Sequence, residues 1–117
     1  MFPTLYKQHT QTPKNTGRLE NFTHFGEAEN PVCGDETEFF MTIQDGKFIK
    51  LQHLTKGCAG SIACASYLSE IITGKNVSDV KIADLKNTIL KDLELSSTKK
   101  HCVDLVGKAL QNALIKD

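Results

Sequence analysis

The sequence predicts an α+β fold, a small antiparallel sheet packed against several helices. Three observations carry that expectation. Thr37, Phe39, Met41 and Ile43 alternate with Glu38, Phe40 and Thr42, the period of a strand. The segment "QDGK" then places Asp45-Gly46 ahead of a second extended stretch, "FIKLQHLT", which is a hairpin signal. Finally, Thr98 to Ile115 reads as an amphipathic helix, with Cys102, Leu105, Val106, Ala109, Leu110, Ala113 and Leu114 on one stripe. Strands come first and helices later, the order of the α+β class.

The first 30 residues are polar and punctuated by Pro3, Pro13, Gly17 and Gly26. They suggest a short helical turn near Leu5 to His9 and then an irregular arm to about residue 30. The second strand starts at Lys47, with Phe48, Lys50 and Gln52 on one face and Ile49, Leu51 and His53 on the other. Gly57-Cys58 ends it. The stretch "AGSIACASYLSEIITG" has helical periodicity, with Ile62, Ala65, Ser69 and Ile72 on one face and Gly74 placed as the residue after the helix end. Two shorter helical segments follow, Val80 to Leu85 and Thr88 to Leu93, with Ser78 and Asn87 or Thr88 as caps.

Length and composition narrow the classes. A chain of 117 residues suits one domain, 1–117, with one modest core. Fourteen basic and fourteen acidic side chains balance to a formal charge of zero, so there is no electrostatic footprint for nucleic acid. No apolar run approaches the roughly 20 residues of a membrane span. "MFPTLYKQHT" has no basic region followed by an apolar run, so no secretion signal is expected. The four cysteines do not resemble a dense disulfide framework. The expected compartment is the reducing cytoplasm, where spaced cysteines more often serve metal binding or catalysis.

Three of these cysteines stand in places that suit chemistry. Cys33 lies in a glycine-containing loop, two residues before Asp35. Cys58 lies between a strand and a helix start, and Cys102 follows His101 in the first turn of the last helix. A helix N-terminus favours thiolate, so lowered pKa values are expected at Cys58 and Cys102. Thiolate, carboxylate and imidazole all ligate zinc or iron. Blander readings stand beside this one. Cys64 lies about 9 Å beyond Cys58 along a helix, between alanines, and reads as core. Cys102, on an apolar stripe, taken alone reads as a buried small hydrophobe. Asp35 alone could cap the strand's first turn. His9, His24 and His53 read as surface or satisfied histidines. No Cys-x-x-Cys pair exists, so spacing alone reaches only a three-thiolate metal site.

The motifs taken in order resemble the IscU/NifU-type iron–sulfur cluster assembly scaffolds. "VCGD" precedes a strand, "GCAGSIA" opens a helix and "HC" opens the last helix. "HTQTPKNTG" is similar to the family's N-terminal His…Asn-Pro-Arg-Asn-x-Gly segment at His9, Pro13, Asn15 and Gly17, with Thr10 and Lys14 where the family often has Tyr and Arg. "KNTILKDLEL" resembles the stretch before its last helix. The resemblance spans nearly the whole chain and implies a SufE/NifU-like sheet of about three strands.

It also implies the site. The family's ligand cysteines fall on Cys33, Cys58 and Cys102, its aspartate on Asp35 and its histidine on His101, whereas Cys64 matches no ligand. Asp35 is the first choice of fourth ligand and His101 the competitor. The implied function is a scaffold, not an enzyme in the strict sense. A cysteine desulfurase of IscS/NifS type delivers sulfur, iron is added, and a [2Fe–2S] cluster forms and passes to apo iron–sulfur proteins. Zinc is the alternative occupant, held as Cys₃Asp. Cys102 is the implied persulfide acceptor, with Cys33 as the alternative.

Docking of the desulfurase is expected around Val32, Lys99 and Lys100. Ser96 and Ser97 replace both prolines of the family's Leu-Pro-Pro-Val-Lys chaperone segment, so recognition by a dedicated Hsp70-type chaperone is doubtful. A homo-oligomer is compatible with the sequence. The alternative functions are a zinc-dependent persulfide sulfurtransferase of SufU type and a structural zinc module. The 44-residue spacing from Cys58 to Cys102 leaves no room for the insertion of the SufU-type branch.

Overall fold

The structure, a computed structural model, describes residues 4–115. The first three residues of the expected domain, Pro3 among them, and its last two lie outside that range. The elements are α1 (Leu5–Gln11), β1 (His24–Glu29), β2 (Glu36–Gln44), β3 (Lys47–Lys56), α2 (Ala59–Ile72), α3 (Ile82–Asp92) and α4 (Lys100–Leu114). Short 3₁₀ turns, Val77–Asp79 and Ser97–Lys99, precede α3 and α4. The strands form one antiparallel sheet in the order β1-β2-β3, so the α+β class and the three-stranded sheet are as expected.

The β2–β3 turn is set by its two central residues. Asp45 and Gly46 have φ of 53° and 76°, the left-handed pair of a type I′ hairpin. Just beyond it a bulge shifts the register. Thr42 pairs with Lys50, but Ile43 pairs with Phe48, so Ile49 is the extra residue on β3. The strict alternation expected for β3 therefore fails at its start. Phe48 is buried with Leu51 and His53, while Ile49 is 49% exposed.

One face of the sheet, through Phe39, Met41, Phe48 and Leu51, joins the core supplied by α2 and α4. Phe40, on the opposite face, is also buried, covered by Phe22 and Phe25 with Arg18 over its ring. Among the described residues no helix is long and apolar enough to cross a membrane.

Part of the expected irregular arm is ordered as a strand. His24–Glu29 pairs with β2 along its whole length, and α4 lies across it. The helix comes so close that a Cβ at Gly26 would collide with the backbone of Ala109 and Ala113. The arm ahead of it is latched to α2 and β3 by polar groups. Thr4 Oγ1 accepts from Lys7 N–H (3.1 Å) and caps α1. His9 Nδ1 lies 2.6 Å from Ser66 Oγ, which also accepts from Lys14 N–H (2.7 Å). Asn15 donates to Ser69 Oγ (3.0 Å), and its carbonyl accepts from His53 N–H (2.9 Å). His53 Nε2 donates to Lys14 O (3.0 Å), and Gly17 N–H donates to His53 O (2.9 Å). His9, His53 and His24, the last bonded to Thr23 Oγ1 (2.8 Å), are thus satisfied histidines.

The two short helices expected over 80–93 are one. Ile82, Leu85 and Ile89 keep a single face toward the core across Asn87 and Thr88. Thr88 Oγ1 donates to Asp84 O (3.0 Å) inside that helix rather than capping a new one. Ser78 lies inside the preceding 3₁₀ turn and caps nothing. Gly74, at φ 92°, follows α2 as expected.

Candidate metal centre

Cys33 sits in the β1–β2 loop, exposed, and Asp35 ends that loop with only 6% exposure. Cys58 is the cap residue before α2, also exposed. His101 and Cys102 open α4, the histidine exposed and the cysteine fully buried. Loop, strand end and two helix starts meet at one end of the molecule.

The ligand atoms fall into two groups. Those of Cys58, His101 and Cys102 lie within 4.8 Å of one another, and so do those of Cys33, Asp35 and His101. His101 is common to both triplets. Cys58 Sγ is 3.6 Å from Cys102 Sγ, and Cys102 Sγ is 3.6 Å from His101 Nε2. Two thiolates on a tetrahedral zinc lie about 3.8 Å apart, and a thiolate and an imidazole nitrogen about 3.5 Å, from the usual bond lengths. These donors already stand at the spacing a tetrahedral ion needs. All five residues singled out in the sequence are present, and Cys64 is absent from the cluster. Its thiol is fully buried in the core, and burial pushes its pKa far up.

Asp35 is held by neighbours of the site. Its Oδ2 accepts from Ser61 Oγ (2.8 Å) and, at 3.4 Å, from Cys58 N–H. Burial pushes the carboxyl upward, but the hydrogen bonds from Ser61, Cys58 and Cys33 prevail and hold it below the usual range. The thiol of Cys102 moves opposite to the helix-terminus expectation. Burial is the largest cause, the neighbouring Cys58 and Asp35 reinforce it against an opposing bond from Ser61, and the pKa is pushed up to about 11.

Three residues were not singled out in the sequence. Ser61 is fully buried on the first turn of α2, bonded to Asp35 and 3.7 Å from Cys58 Sγ. Gly57 has φ of 144°, and a Cβ there would collide with the Asp35 carboxyl group. A Cβ at Gly60 would meet Cys102 Sγ at 2.9 Å. The available signal was local: two glycines around Cys58 and a hydroxyl three residues on, which one helical turn returns to the same side.

Fold and site together define a small α+β protein that gathers three thiols, a carboxylate and an imidazole at one end. The chain belongs to the NifU-like N terminal domain family, whose model matches residues 6–116. An iron–sulfur cluster assembly scaffold protein IscU of Archaeoglobus fulgidus is 32% identical over 109 residues, 92% of this chain and 70% of that protein. The scaffold protein IscU of Rickettsia prowazekii is 34% identical over 111 residues, 91% of this chain and 83% of that one. Among solved structures, the N-terminal part of a NifU-like protein from Brucella abortus superposes with a TM-score of 0.79 at 13% identity, over 96% of this chain and 90% of its own. A SufU protein from Fervidobacterium islandicum AW-1 superposes at 0.77 and 21% identity, over 97% and 96%. These two likenesses carry the fold alone.

Proposed function

We propose that this chain is a scaffold on which an iron–sulfur cluster is assembled and then released to apo-proteins. The observation that carries the reading is the donor set: five ligating groups in two triplets that share His101, three of them exposed. A purely structural zinc site needs four donors and gains from closing them off. A fifth donor and an open side suit cargo that must arrive and leave. The names of the relatives at 32% and 34% identity point the same way.

The cargo is proposed to be a [2Fe–2S] cluster, which takes four protein ligands, two on each iron. Cys58 and Cys102 suit one iron, and Cys33 with Asp35 the other, with His101 able to replace Asp35. Zinc is the alternative occupant. The sulfur donor is proposed to be a cysteine desulfurase. A thiolate on this chain attacks the partner's outer persulfide sulfur, forming a new S–S bond and releasing the partner's thiolate. Exposure favours Cys33 for that first attack over the implied Cys102, which is fully buried. Val32, 94% exposed, stands beside it, and Lys100 is exposed at the start of α4, so both fit the docking face. Lys99 is half-buried, with its ammonium 5.8 Å from the Tyr6 ring centre, and fits that face less well. Free thiols at the site call for a reducing compartment.

The test is desulfurase-driven assembly. The chain is incubated anaerobically with ferrous iron, cysteine, a cysteine desulfurase and a thiol reductant that brings the persulfide sulfur to sulfide, then mixed with an apo-ferredoxin. Visible absorption from a bound cluster, followed by its loss to the acceptor, supports a scaffold. Persulfide transfer on zinc-loaded protein with no cluster formed would instead make it a sulfurtransferase.

A further inference from the structure

Asp35 and His101 compete for one ligand place, and the two are held very differently. Asp35 is 6% exposed, fixed by Ser61 Oγ–H and Cys58 N–H on Oδ2, and backed by Gly57. His101 is exposed, and its only hydrogen-bond partner among the described residues is the Cys102 thiol, at its Nε2. A ligating histidine ordinarily donates its other ring N–H to a carboxylate or carbonyl that fixes the ring. Here the imidazole lacks that support and the carboxylate has its own.

We propose that Ser61 is a positioning residue that decides which group completes the metal site, by holding Asp35 in the ligand position ahead of His101. The inference rests on the reading of this cluster as a metal-loading site. Ser61 is fully buried on the first turn of α2, its hydroxyl faces both Asp35 (2.8 Å) and Cys58 Sγ (3.7 Å), and solvent cannot replace it. A carboxylate already oriented loses little freedom on binding, whereas the exposed imidazole must be immobilised. Without the hydroxyl, Oδ2 loses its shortest hydrogen bond and keeps the longer one from Cys58 N–H, so the carboxylate is held less firmly and that preference falls away. His101, already shared by both donor triplets, then takes the place. The assignment is local to this chain's "GCAGS" turn, since it needs a hydroxyl three residues after Cys58.

The test loads zinc alone into the wild type, Ser61→Ala, Ser61→Thr, Asp35→Ala and the Ser61→Ala/Asp35→Ala double variant. The ring ¹⁵N shifts of His101 report coordination. The expected result is a free ring in the wild type and in Ser61→Thr, and a zinc-bound ring in Ser61→Ala and Asp35→Ala. The double variant should match Asp35→Ala, because Ser61 acts through Asp35. A bound His101 in the wild type overturns the proposal whether or not Ser61→Ala folds. A free His101 in folded Ser61→Ala overturns it too, and leaves the metal-loading reading intact. If the wild-type cysteines take up no zinc, both the inference and that reading fall.

Discussion

Cys58 Sγ and Cys102 Sγ lie 3.6 Å apart although 44 residues separate them in the chain. Nothing covalent holds them there. Cys58 caps α2, Cys102 lies in the first turn of α4, and the two helices pack with Gly60 at the crossing. The absent Cβ at Gly60 leaves room for the Cys102 sulfur. The pair is thus a product of helix packing, which makes it rigid, while Cys33 arrives on a loop. A rigid half and a looser half suit a site that must both grip and let go.

Asp35→Ala is expected to fold normally and to slow cluster transfer. The carboxylate is the hard oxygen donor in a thiolate set, so its bond is the natural place for exit to begin. With it removed, His101 closes the site with nitrogen. Transfer from reconstituted variant to apo-ferredoxin, followed by visible absorption, measures this. Transfer faster than wild type would contradict the role given to Asp35.

Much of this was legible in the sequence and some was not. The Asp45-Gly46 turn and the stripe of α4 were written in period and turn chemistry, and both stand. Strand β1 was missed because its inward positions, Gly26 and Ala28, are small. They are small because α4 crosses them at close range, so the usual alternation of large apolar residues is missing. The break in β3 came from a bulge that flips Phe48 inward, which period-two reading cannot anticipate. The convergence of the cysteines was not readable from spacing. It was implied by the order of motifs; in the structure helix packing brings Cys58 and Cys102 together, while Cys33 joins them only through His101, which both triplets share. Ser61 carried only a local signal, since its partner Asp35 reaches it only when the β1–β2 loop folds against α2. The thiol of Cys102 shows two effects in opposition, with burial outweighing the hydrogen bond from Ser61.

Gly57→Ala should damage both stability and the site. The left-handed backbone alone costs about 1–3 kcal/mol for a residue with a side chain. The new methyl group would also displace the Asp35 carboxyl group. Gly74→Ala is the control, since φ is also positive there, at 92°, but no atom lies within 4 Å of the added carbon and Gly74 follows α2, outside the donor set. Thermal melts and zinc titrations should show both variants destabilised and only Gly57→Ala weakened in metal binding. Equal zinc affinities in the two would remove Gly57 from the support of Asp35.

Acid should loosen the latch between the N-terminal arm and α2. Burial lowers the pKa of His9, opposed by Glu70 and reinforced by Lys14. Burial likewise lowers that of His53, opposed by its bond to the Lys14 carbonyl. Both rings therefore stay neutral in the folded chain over a range where the unfolded chain is protonated. The unfolded state binds more protons there, so stability is full above about pH 6.5 and falls as the pH drops through the folded values. Urea midpoints should decline between about pH 7.5 and about pH 5. His9→Gln should flatten that decline, and a midpoint that rises toward acid would contradict the assignment.

The most direct measurement is the iron and acid-labile sulfide content of anaerobically reconstituted protein, cysteine by cysteine. The wild type should hold about two of each per chain, the composition of a [2Fe–2S] cluster. Cys33→Ala, Cys58→Ala and Cys102→Ala should each lose it. Cys64→Ala should retain it, since that thiol is buried in the core and belongs to neither donor triplet. A cluster that survives loss of Cys58 or Cys102, or disappears with Cys64, would contradict the account at its centre.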